Sequence, residues 1–148
     1  MIKQHKKMLI LTSVITLLPI FIGLLLWRQL PASVATHFGV DNQPDGYCSK
    51  AFAVFGLPVM MLFFHLICIV ATNIDPKRKN ISKKVFHVVM WICPVISLVN
   101  CNILYVYNLG YKLNIGFVCG LFVGILYLIL GNFIPKVKPN YSIGFRIE

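Results

Sequence analysis

Four stretches of this chain, residues 8–27, 51–71, 85–106 and 113–133, contain no Asp, Glu, Lys or Arg and are dominated by Leu, Ile, Val, Phe and Met. A bilayer hydrocarbon core of about 30 Å is crossed by roughly 20 helical residues. Backbone polar groups in lipid must be bonded within the segment, which forces each stretch into a helix. The sequence therefore predicts an all-α integral membrane protein of four transmembrane helices, folded as one domain from residue 1 to 148. Its composition agrees: 58% of residues are hydrophobic and only 12% are charged, against about a quarter charged in soluble domains. A soluble enzyme and a disordered chain are both excluded.

The basic residues set the orientation. Lys3, Lys6 and Lys7 precede the first span, Lys77, Arg78, Lys79, Lys83 and Lys84 separate the second from the third, and Lys136, Lys138 and Arg146 follow the fourth. Only Arg28, Lys50 and Lys112 fall on the other side. By the positive-inside rule both termini, the loop 72–84 and the tail 134–148 are cytoplasmic, and the connections 28–50 and 107–112 are external. The net charge of +10 thus reflects topology rather than direct nucleic-acid binding. The run DPKRKNISKK is suited to anionic headgroups, at about 1 kcal/mol per cation near the surface. The first segment reads as a retained span, because no small-x-small cleavage site follows Trp27.

Polar groups inside spans are candidates for function because lipid makes them costly. They are His65, His87, Asn100 and Asn102. Two histidines at similar depth suggest a proton relay, but no intramembrane carboxylate accompanies them, and interhelical hydrogen bonding explains them more simply. Pro19, Pro58 and Pro94 each remove a backbone bond and invite a kink. Gly116, Gly120 and Gly124 form a doubled GxxxG stripe suited to close helix packing, against another span or a second copy. Of the five cysteines only Cys48 lies outside a span, and no CxxC, zinc, Walker, HExxH or GxSxG pattern is present. No catalytic residues, cofactor or metal are expected.

The external connection is long for a link between neighbouring spans and is expected to be structured, all 23 residues from 28 to 50 included. Asn42 tolerates positive φ, Pro44 suits the start of a turn, and Asp45-Gly46 reads as a capping carboxylate followed by a left-handed position. A metal site from His37, Asp41 and Asp45 is the weaker reading of the same residues.

Two motifs carry a resemblance. LPASVATHFGVDNQPDGYCSK resembles the DUF1648 signature through His37, Phe38, Pro44, Asp45, Gly46, Tyr47, Ser49 and Lys50. GNFIPKVKPNYSIGFR resembles the C-terminal signature of the SdpI family through Gly131, Asn132, Pro135, Asn140, Tyr141, Gly144 and Arg146. Ala35, Asn42 and Phe145 stand where that family usually has Pro, Gly and Ile. The family commonly continues into further spans, so this chain reads as a short member. The resemblance implies a bacterial cell-membrane immunity protein that protects against a secreted, membrane-active peptide toxin or bacteriocin, with a cytoplasmic transcriptional repressor as a further partner. A small transporter or channel-like subunit is the competing reading. In the immunity reading the external loop would face the toxin together with Asn100, Asn102, Tyr105, Tyr107 and Tyr111, and Arg146 would clamp the inner helix ends by pairing with backbone carbonyls or with a carboxylate, Asp75 or Glu148.

The orientation is directly testable. A membrane-impermeant maleimide added to intact cells should label Cys48, and a reporter fused after Glu148 should read cytoplasmic; an external reporter would overturn the four-span topology.

Overall fold

The computed structural model describes residues 2–133 and 137–143. Four helices long and apolar enough to cross a membrane are present: α1 (Lys6–Leu25), α2 (Leu57–Ile74, entered through a π turn at Phe52–Gly56), α3 (Lys83–Asn108) and α4 (Ile115–Phe133). The charge-free stretches lie within these helices to within two residues at each end. The first connection departs from expectation. It folds into an antiparallel hairpin of β1 (Ser33–Phe38) and β2 (Pro44–Ser49), so the chain is mostly helical rather than all-α. Successive helices run in opposite directions, which puts the hairpin at one end of the bundle and the loop after α2, with residues 137–143, at the other.

Helices α1, α2 and α3 pack around two apolar clusters. At the hairpin end Leu30, Val54, Cys101 and Tyr105 come together, and at the tail end Ile69, Ile81, Val85, Phe86, Met90 and Val137. Between the clusters the contacts are polar. Ser97 Oγ donates to the Thr16 carbonyl at 2.8 Å, and Tyr105 Oη donates to the Pro19 carbonyl at 3.2 Å. His65, fully buried, lies 3.1 Å from Thr12 Oγ1 through Nε2. The Thr12 hydroxyl donates back to Met8 O at 2.9 Å, so its oxygen accepts from His65. In that arrangement Nε2 carries the proton, and Nδ1 has no hydrogen-bond partner among the described residues. In lipid no hydrophobic force draws helices together, so such bonds and close packing carry the association.

The three intrahelical prolines are all fully buried. Pro58 follows directly on the π turn, where Leu57 N bonds to Phe52 O; the widened turn accommodates the backbone bond that Pro58 cannot make.

The glycine stripe meets no close partner among the described residues. A Cβ on Gly120 or Gly124 would meet no described atom within 4 Å, and Ile115 is the only buried residue of α4. The expected close approach occurs instead at Gly23 on α1, where a Cβ would lie 2.8 Å from Val54 Cγ1 and 2.9 Å from Tyr105 Oη. Gly23→Leu should therefore lower the melting temperature of the detergent-solubilised protein, at a cost of about 1–3 kcal/mol typical of overpacking, whereas Gly120→Leu should leave it unchanged. Equal loss in both variants would contradict the packing described.

Candidate functional site

A two-stranded hairpin is marginal on its own, and this one is fastened to the bundle at four points. Asn108, in the last turn of α3, accepts from Ala35 N at 2.9 Å and donates to Ala35 O at 3.0 Å, so its amide stands in for a third strand along β1. Asn42, with φ 62°, accepts from Ile115 N at 2.7 Å and Gly116 N at 3.3 Å, satisfying the free donors that open α4. Lys50 donates to the Trp27 carbonyl at 2.9 Å with its ammonium 5.4 Å from the Trp27 ring centre. The Phe38 and Tyr107 rings meet edge to face at 4.6 Å. Ser49 Oγ adds an acceptor for Phe52 N at the helix entry.

The register redistributes the expected turn chemistry. Pairing skips Thr36 and Asp45, leaving irregularities on both sides of His37. The reversal itself lies at 39–43, where Gly39 N bonds to Gln43 O and the Asp41 carboxylate accepts from Gln43 N. Pro44 begins β2 rather than a turn, and Gly46 is not left-handed but sits opposite His37, where a Cβ would approach His37 Cβ to 2.7 Å. Asp45 does not cap backbone groups: it pairs with His37 Nδ1 on the exposed surface. No group of three His, Cys, Asp or Glu side chains suited to a metal occurs among the described residues.

Beneath the hairpin lies a cavity of about 460 Å³. His37 and Phe38 roof it, Met60 and Met61 of α2 and Asn100 of α3 line it, and Cys119 of α4 closes one side. Its size is that of a ligand pocket, and methionine adapts to varied apolar shapes. Asn100 is exposed and has no hydrogen-bond partner among the described residues. Three residues expected beside it are otherwise engaged. Asn102 donates to Leu98 O of its own helix, Tyr105 is 1% exposed, and Tyr107 stacks on Phe38. Tyr111 and Tyr47 remain exposed at this end, at 64% and 58%.

At the opposite end the tail folds back onto the loop after α2. Asp75, 4% exposed, accepts from Lys77 N at 2.7 Å, Tyr141 N at 2.9 Å and Ser142 N at 2.8 Å, and from the Ser142 hydroxyl. Asn140 orders the same turn by accepting from Ile143 N at 2.7 Å and Ser142 N at 3.1 Å. Asn80 donates to Pro139 O, and Lys77 lies over the Tyr141 ring. Gly131 and Asn132 lie in the last turn of α4. Pro135, Gly144 and Arg146 fall outside the described residues, as does the expected clamp by Arg146. His87 Nε2 lies 3.2 Å from His5 Nδ1, and no hydrogen bond links it to His65 among the described residues. Burial, and then His87 beside it, hold His5 below the ordinary histidine value.

A hairpin-capped bundle with four spanning helices defines a multi-pass membrane protein of the cell membrane. The family model Domain of unknown function (DUF1648) matches residues 14–62, from within α1 through the hairpin into α2. The chain is 28% identical over 142 residues to Immunity protein SdpI of Bacillus subtilis (strain 168), covering 93% of this chain and 64% of that relative. The chain thus spans less than two thirds of that relative's length. No solved structure matches the chain.

The Ser142 hydroxyl, followed by the backbone donors, lowers the Asp75 pKa below its ordinary 3.8. A lowered folded value means that the clasp contributes stability above pH 3.8 and loses it as pH falls through the folded value. The melting temperature should therefore drop at acid pH, and Asp75→Ala should lower it at neutral pH and reduce the acid-induced drop. An Asp75→Ala protein with the parent's melting temperature would show that the clasp adds nothing.

Proposed function

We propose that the protein is a membrane immunity protein, which protects its cell by meeting a secreted, membrane-active peptide at the hairpin end, on the external face. The observation that carries this reading is the fastened hairpin above a cavity that holds an unpartnered carboxamide, Asn100. A polar group in that setting is costly unless a ligand engages it, and a peptide backbone offers both a donor and an acceptor, which an acyl chain does not. Tyr47 and Tyr111 supply exposed aromatic contacts, the residue type that carries a disproportionate share of interface energy. The similarity to an immunity protein supports the same reading. Orientation by the positive-inside rule puts this face where a secreted peptide arrives.

The transporter reading is less well supported. His65 is sealed against Thr12, and the described spans contain no carboxylate to exchange protons with it. Recruitment of a repressor would use the opposite end, where the clasped tail presents Tyr141 and Lys77.

Protection should be measured in a sensitive bacterium expressing the gene and challenged with the peptides secreted by the source strain, with membrane abundance followed in parallel. Tyr47→Ala and Asn100→Leu should lower the tolerated peptide concentration about tenfold at unchanged abundance, equivalent to an anchor of about 1.4 kcal/mol. Gly46→Val should lower abundance and protection together, because it displaces His37. Full protection by both Tyr47→Ala and Asn100→Leu would remove the hairpin end as the recognition face.

A further inference from the structure

At the tail end, α3 and α4 diverge around a second groove, of about 420 Å³. On α3 it is lined by Lys84, His87, Trp91 and Val95, spaced as one helical stripe, and on α4 by Ile129 and Phe133. The lining is thus graded. A cation stands at the mouth, in the first turn of α3; the His87 imidazole follows, and beyond it the stripe continues with Trp91 and Val95.

Among the described residues the mouth has no internal counter-charge. Lys84 is exposed and has no ion-pair or hydrogen-bond partner among the described residues. Asp75, the described carboxylate at this end of the bundle, is already shared among Lys77, Tyr141 and Ser142. Lys83, Lys77, Arg78 and Lys79 add further positive charge nearby in the chain. His87 is turned toward His5, which leaves Lys84 as the cation facing the groove.

We propose that this groove is a binding site for one anionic phospholipid, with its headgroup phosphate on Lys84 and an acyl chain laid between α3 and α4 against Trp91. Charge complementarity selects the occupant: a zwitterionic lipid fills the apolar part equally well but brings its own cation to Lys84. A second copy of α4 would fill the apolar part and leave the ammonium unpaired. The site is distinct from diffuse attraction of the basic loop to a charged surface, because it places one lipid chain against one tryptophan.

Trp27 and Trp91 are the two tryptophans of the chain, which gives a local readout. The Trp27→Phe protein, with Trp91 as its sole tryptophan, is reconstituted in phosphatidylcholine vesicles containing phosphatidylglycerol. Bromine atoms are placed on the acyl chains of one lipid or the other at equal mole fraction. Brominated phosphatidylglycerol should quench Trp91 as though enriched about fivefold over brominated phosphatidylcholine, the preference expected from a single cation near the surface. Lys84→Gln should bring that ratio close to one, Lys84→Arg should retain it, and Lys79→Gln, in the loop outside the groove, should leave it unchanged. Equal quenching by the two lipids in the parent protein would overturn the proposal, as would absence of quenching by either. A loss with Lys79→Gln as large as that with Lys84→Gln would also overturn it, since it assigns the preference to the loop as a whole.

Discussion

A carboxamide carries the same donor and acceptor as a peptide unit, and Asn108 uses that equivalence to make the end of α3 behave as a strand beside β1. The hairpin depends on it. Two strands do not hold together alone in water, and β1 would otherwise present an open edge. Asn108 closes that edge at Ala35, and Asn42 repeats the device at the start of α4. The cavity roof, the position of His37 and the exposure of Tyr47 all follow from this docking. Side chains from distant parts of the chain therefore do for the loop what a hydrophobic core does for a soluble domain.

The same economy governs the interior. Helices α1, α2 and α3 are joined where a hydroxyl, an imidazole or a phenol reaches a neighbour, and Gly23 lets α1 approach closely at the hairpin end. Helix α4 has glycines of the right spacing, yet a Cβ at Gly120 or Gly124 would meet no described atom within 4 Å. Spacing alone therefore did not determine which glycines pack.

The spans were legible because a run of about 20 residues without charge has one solution in lipid. The hairpin was not, because β2 opens with Pro44, Asp45 and Gly46, which local propensity assigns to turns; tertiary docking overrode it. His37 and Asp45 stand out in the sequence as polar residues of the loop, yet their pairing needed the irregular register, which sequence spacing does not encode. Asn108, Thr12, Thr16 and Ser97 were passed over, since a single small polar residue near or inside a helix carries no pattern. Asp75 did leave a signal: a lone carboxylate among five cations invites a structural role. That its partners are mostly backbone amides of the tail could not be read from charge.

Helix α4 is fastened at its first turn by Asn42 and Asn114, and beyond its far end the chain returns to the core at Val137 and to the Asp75 clasp. Between these anchors it behaves mechanically as a strap of roughly 28 Å, its length at 1.5 Å rise per residue, which closely matches an average hydrocarbon thickness. A thinner bilayer can be met by tilting this one helix, with no hydroxyl–carbonyl link of the other three disturbed. The bundle thus has one side tied chiefly at its two ends and another cross-linked along its length, so a change in the tilt of α4 bears first on its two fastenings, one at the hairpin and one at the tail.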